Sequence, residues 1–103
     1  MKWIEIIQIR SYTLEDSEAA VAAFSQLSSP GFQIPDSAIR LFRNSILKTD
    51  LSIFIQWEKG IPNSGKSSLG MQLAKTFSDF GMIHHTSWMP QAELYGYRMS
   101  ANQ

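Results

Sequence analysis

The chain has 103 residues, enough for one compact domain, and 44% of them are hydrophobic, enough for a real core. Nine basic side chains balance nine acidic ones, so nothing attracts a polyanion, and neither nucleic acid nor an anionic membrane surface is an expected partner. The absence of cysteine excludes disulfides, thiolate zinc sites and cysteine nucleophiles.

Residues 3–12, WIEIIQIRSY, are rich in β-branched and aromatic side chains and predict a strand. The opening MKWIEIIQIR carries Glu5 and Arg10 and lacks a small-residue cleavage site, so it does not read as a signal peptide. No apolar run approaches the ~20 residues that cross a bilayer. A soluble, cytoplasmic protein is expected. In TLEDSEAAVAAFSQL, Thr13 can cap a helix, with Asp16 three residues on. Leu14, Val21, Phe24 and Leu27 fall near helical spacing and predict an inward stripe. SSPGFQIPDS ends that helix in a loop.

AIRLFRNSILK, residues 38–48, alternates through Arg43 and predicts a second strand. LSIFIQWEK, residues 51–59, predicts a third, and Thr49-Asp50 between the two runs predicts a tight hairpin. After the loop GIPNSG, residues 66–80 predict a helix capped by Ser67, with Leu69, Leu73, Phe77 and Phe80 on one stripe and Gly81 as its stop. MIHHTSWM, residues 82–89, is a last strand before Pro90. Residues 94–99 offer a short added strand, and the final four residues are expected to fray. The order β-α-β-β-α-β is the ferredoxin-like α+β arrangement. We expect one domain over 1–103, with a core of about 2–90 and a C-terminal tail over 91–103.

GIPNSGKS, residues 60–67, matches the phosphate-loop string Gly-x-x-x-x-Gly-Lys-Ser. Its context does not fit. The hairpin makes the preceding strand antiparallel, the chain after Ser67 is too short for several further βα units, and no later strand ends in an Asp for magnesium. Pro62 also removes a useful backbone amide. No nucleotide is expected at Gly60–Ser67.

His84 and His85 are adjacent on a strand and point to opposite faces. They cannot share a metal, and with no other His and no Cys, no metal site is expected. One of the two is a candidate base lining a pocket. The sequence leaves open which one. On the third strand, Leu51, Ile53, Ile55 and Trp57 share the face expected to meet the helices. Arg40, Asn44, Phe54 and Gln56 fall on the other face, and Glu5 is expected to join them from the first strand. A buried Arg40–Glu5 ion pair is the structural alternative. In a monomer this face exposes Phe42 and Phe54, with Trp3 or Trp88 beside them, a patch that soluble monomers avoid. A homodimer would cover it.

The run SIFIQWEKG, then a helix, then FGMIHHTSWMP resembles the second half of small dimeric α/β-barrel proteins, and in particular the antibiotic biosynthesis monooxygenase-like family. The resemblance spans about residues 2–90 and rests mostly on pattern, including the aromatic-acidic strand end Trp57-Glu58. It implies two ferredoxin-like subunits stacking their sheets into a barrel. Some members oxidise polyketide-like aromatics without metal or organic cofactor, others degrade haem, and many have no assigned activity. The haem-degrading branch uses an Asn on an early strand and closely spaced Trp and His. Here the first strand offers Glu5 and Gln8, and Trp57 lies far from His84. The resemblance therefore implies no cofactor.

The resulting expectation is a homodimeric barrel that binds a small apolar or aromatic molecule, with cofactor-independent oxidation as its chemistry. His84 or His85 would be the base, and Arg40 or Gln56 would steady the anion. The alternative is a non-catalytic ligand-binding or interaction module. An RNA-recognition domain shares the strand order, but LSIFIQWEK lacks the basic, aromatic signature of its third strand.

Overall fold

The computed structural model describes residues 2–28, 37–58, 60 and 65–94. The elements are β1 (Trp3–Ser11), α1 (Leu14–Ser25) with a closing 3-10 turn (Gln26–Ser28), β2 (Ser37–Arg43), β3 (Asp50–Trp57), α2 (Ser68–Phe77) and β4 (Gly81–Trp88). They form one four-stranded sheet in the order β2-β3-β1-β4. All three strand pairings are antiparallel. This is the expected ferredoxin-like α+β fold. Residues 95–103, and the loops around Pro30, Pro35 and Pro62, lie outside the described residues.

Period-two alternation builds the core. Ile7 and Ile9 of β1 and Leu51, Ile53 and Ile55 of β3 are buried against Ala20 of α1 and against Leu73 and Phe77 of α2. The α2 stripe is as expected, with Leu69 and Phe80 packed at its margins. Helix α1 differs in one place. Leu14 is exposed, and Ser17 takes the buried position of the first turn, where its hydroxyl donates to the Leu14 carbonyl at 2.9 Å. Both helices start at the expected caps: the Asp16 amide donates to Thr13 Oγ1 at 3.0 Å, and the Gly70 amide donates to Ser67 Oγ at 2.8 Å.

The second strand is shorter than its apolar pattern predicts, and the tight hairpin at Thr49-Asp50 is not formed. β2 ends at Arg43, and residues 44–49 make the connection. Asn44 Oδ1 accepts from the amides of Ile46 and Leu47, both at 2.8 Å, so the side chain folds the backbone out of the ladder. Ile46 continues the sequence pattern but is 83% exposed.

Gly70 sits on the buried side of α2, and a Cβ there would run into the carboxylate of Glu5. Helix propensity alone favours Gly70→Ala by about 1 kcal/mol. The carboxylate is held by several hydrogen bonds and cannot swing aside, so the overpacking cost of about 1–3 kcal/mol should win. The expected outcome is a lower urea midpoint for Gly70→Ala. An unchanged or raised midpoint would show that the carboxylate yields.

Candidate functional site

The helices cover one face of the sheet. On the other face the strand registers set side chains in transverse rows. Asp50, Arg10 and Met82 form the first row, and Phe42, Ser52, Gln8 and His84 the second. Arg40, Phe54, Ile6 and Thr86 form the third, and Gln56, Ile4 and Trp88 stand in the fourth. The second row decides the shape. Its ends are the aromatic Phe42 and the imidazole of His84, and its middle holds small Ser52 and slender Gln8. Three strand spacings of about 4.8 Å put the two walls roughly 14 Å apart.

The result is a groove of about 470 Å³, open on one side, with Phe42, Phe54, Met82, His84, Gln8 and Arg10 among its lining residues. That is within the range of small-molecule sites. Phe42 and Phe54 meet edge to face, with centroids 5.0 Å apart. Phe42 is 48% exposed and Trp88 is 56% exposed. Arg10 Nε lies 3.7 Å from Asp50 Oδ1. His84 Nδ1 lies 3.2 Å from Gln8 Oε1. At the far end a separate apolar hollow of about 210 Å³ is lined by Ile4, Gln56, Trp88, Met89 and Pro90, with Lys2 and Trp3 at its edge.

The predicted residues divide between these places. Phe54 and His84 stand in the larger groove, with Asn44 at its rim, where its oxygen serves the β2–β3 turn. Arg40 is exposed on the same face, directly across from Phe54. Gln56 belongs to the second hollow, away from His84.

Glu5 and His85 are not on this face, and the expectation for Glu5 is corrected. Glu5 is 0% exposed and lies beneath α2 on the same side as Ile7 and Ile9. Its carboxylate accepts from Trp57 Nε1 at 2.7 Å, from the Ser67 amide at 3.1 Å, from Ser67 Oγ at 2.5 Å and from His85 Nε2 at 2.7 Å. These donors compensate the burial of a charge that period two alone forces inward. No Arg40–Glu5 pair exists, because the sheet separates the two. Trp3 is buried too, stacked on Trp57 with centroids 5.8 Å apart, so it is not part of the exposed patch. The question of the two histidines is thereby resolved in space: His84 faces the groove, and His85 belongs to the buried cluster.

The same cluster engages Ser67, the last residue of the phosphate-loop string. The Ser67 amide and hydroxyl, which such a loop would offer to phosphate and magnesium, are engaged by Glu5. β3, the strand before the string, is antiparallel to both its neighbours.

Gln8, Arg10, Asp50 and Met82 were not picked out from the sequence as site residues. Their signal is the register of β1 with β3 and β4, and no residue pattern within a single strand states it. Among the described residues no cluster of His, Asp and Glu is arranged to hold a metal ion. No helix there is long and apolar enough to cross a membrane.

No family model matches the chain, and no curated protein matches it in sequence. Three solved structures share its fold. Rv0793 from Mycobacterium tuberculosis superposes with a TM-score of 0.63 at 14% identity, over 92% of this chain and 100% of that one. A candidate antibiotic biosynthesis monooxygenase from Chloroflexus aurantiacus J-10-fl gives 0.58 at 16% identity, over 97% and 100%. SnoaB, a cofactor-independent oxygenase from Streptomyces nogalater, in its N63A mutant form, gives 0.54 at 11% identity, over 90% and 96%. At these identities the likeness is one of fold: the chain is built as antibiotic biosynthesis monooxygenase-like proteins are.

Proposed function

We propose that the open face is the floor of a chamber closed by a second copy of the chain, sheet stacked on sheet. The chamber binds a small apolar or aromatic molecule, and cofactor-independent oxidation of that molecule is its chemistry. The observation that carries this reading is the second row. Two small or slender side chains lie between the exposed aromatic wall of Phe42 and a histidine, on a face that also exposes Met82 and Trp88. A patch of that kind is unfavourable on a monomer. Sheets pack about 10 Å apart, so a facing copy would turn the groove into an enclosed space. The net charge of zero sets no repulsion between copies.

Within the chamber His84 takes a proton from an acidic O–H or C–H of the ligand. The anion left behind is the electron-rich species that reduces dioxygen. Arg40, which has no ion-pair partner among the described residues, supplies the positive charge that steadies it. The likeness in fold to SnoaB, a cofactor-independent oxygenase, supports the reading by analogy alone.

Light scattering at micromolar concentration is expected to give about twice the 11.7 kDa chain mass. A thermal-shift panel of small aromatics is expected to raise the melting temperature, and oxygen consumption with the binders reports turnover. A strict monomer would defeat the chamber. Binding without oxygen uptake would leave a ligand-binding module.

A further inference from the structure

We propose that Gln8 is a positioning residue for His84, holding its imidazole as the Nδ1–H tautomer so that the Nε2 lone pair faces the groove and selects a ligand that donates an aromatic hydroxyl. This rests on the reading of the open face as the ligand site and extends it to the hydrogen-bond chemistry of the ligand.

The geometry starts in the register. Gln8 and His84 are direct cross-strand partners on β1 and β4. Opposite residues of an antiparallel pair have Cβ atoms about 4.5–5.5 Å apart, within reach of one hydrogen bond between these side chains. The amide oxygen of Gln8 lies 3.2 Å from His84 Nδ1. A carbonyl oxygen only accepts, so Nδ1 must donate and the neutral ring carries its proton there. Nε2 then has a lone pair and no hydrogen. It has no partner among the described residues. Which nitrogen is free is set by the bond the other one makes.

His85 gives the contrasting case one residue away. It meets Glu5 through Nε2, at 2.7 Å, and a carboxylate also only accepts. The neutral His85 ring is therefore the Nε2–H tautomer. The two adjacent histidines carry opposite tautomers, each imposed by a residue of β1: Gln8 on the open face and Glu5 beneath α2.

A lone pair at Nε2 rejects ligands that present only an acceptor and binds those that present O–H. The Phe42–Phe54 pair across the groove supplies the apolar wall for the ring bearing it. The matching ligand is an aromatic hydroxyl compound, such as a phenol or naphthol.

Nitrogen-15 NMR of the full chain separates the possibilities, because the chain has only two histidines. At a pH where the rings are neutral, long-range correlations from the ring protons are expected to show His84 with a protonated Nδ1 and a bare Nε2, and His85 the reverse. Gln8→Leu should move His84 toward the Nε2–H form that free imidazole side chains prefer. Gln8→Glu, an acceptor only, should keep Nδ1–H. A wild-type His84 dominated by Nε2–H, or one unmoved by Gln8→Leu, overturns the proposal. The ligand class is read with 2-naphthol and 2-methoxynaphthalene. Wild type should prefer 2-naphthol by up to about tenfold, the worth of one hydrogen bond. Gln8→Leu should lose the preference and Gln8→Glu keep it. Equal binding of both compounds by wild type overturns the selection. Binding of neither defeats the groove as an aromatic site, while the tautomer still stands or falls on the NMR result.

Discussion

Glu5→Ala is expected to bring the domain close to unfolding, with a loss of about 3–5 kcal/mol. The carboxylate has no exposure and collects hydrogen bonds from β3 (Trp57), from the start of α2 (Ser67, twice) and from β4 (His85). Alanine removes the acceptor and leaves those donors in a space closed to water. Each orphaned donor costs about 1–3 kcal/mol unless water enters. A domain of ordinary stability has a margin of about 5–15 kcal/mol, so the loss takes a large share of it. Glu5→Gln should fall between alanine and wild type, because it keeps one accepting oxygen but turns an NH2 toward other donors. Lys2→Ala, at an exposed site next to the same strand, should stay within about 0.5 kcal/mol. Chemical denaturation gives all of these values. A Glu5→Ala midpoint near that of wild type would mean that the cluster contributes little to holding α2 on the sheet.

Phe54→Asp is expected to abolish the dimer at micromolar concentration. Phe54 stands in the middle of the open face, packed edge to face with Phe42 and partnered across strands by Arg40 and Ile6. A stacked copy would remove it from water, and a carboxylate there would have to be desolvated. Such a charge costs several kcal/mol, and each 1.4 kcal/mol is about a factor of ten in the dissociation constant. The monomer itself should fold, because in a lone chain the new side chain meets solvent. Light scattering should give the single-chain mass for Phe54→Asp. The dimer should persist for Thr76→Asp on the exposed side of α2. A Phe54→Asp protein that stays dimeric would place the interface elsewhere and leave the groove open to bulk solvent.

Much of the architecture was legible because it depends on local chemistry. Thr13 and Ser67 cap their helices, and the alternation of β3 states which of its faces is buried, whereas α2 ends at Phe77 and Gly81 opens β4 instead of stopping the helix. β1 was harder to read, because Ile4 and Ile6 mark one face as strongly as Ile7 and Ile9 mark the other. A longer count favours the odd positions, since the even ones end in Gln8 and Arg10. Glu5 was placed on the wrong face because its donors come from sequence positions far from it. Asn44 was read as a strand residue because its neighbours Ile46 and Leu47 continue an apolar pattern, although Asn is itself a turn former. The groove was legible as a face, through Phe42 and Phe54. It was not legible as a constellation, because the opposition of Gln8 to His84 is a matter of inter-strand register.

The buried carboxylate also bears on how the chain reaches its fold. The bonds of Glu5 join residues 52, 62 and 80 positions apart in sequence. Closing loops of that length costs entropy that a single hydrogen bond does not recover, so these contacts must follow the pairing of the strands that carry them. On a ribosome, β1 is synthesised with its acid already in place, but the last donor arrives only with β4. Until then Glu5 is better left in water, which disfavours premature burial of β1 under α2. Contacts made after the folding barrier act chiefly on the rate of unfolding. The cluster should therefore govern how long the folded state lasts more than how quickly it forms.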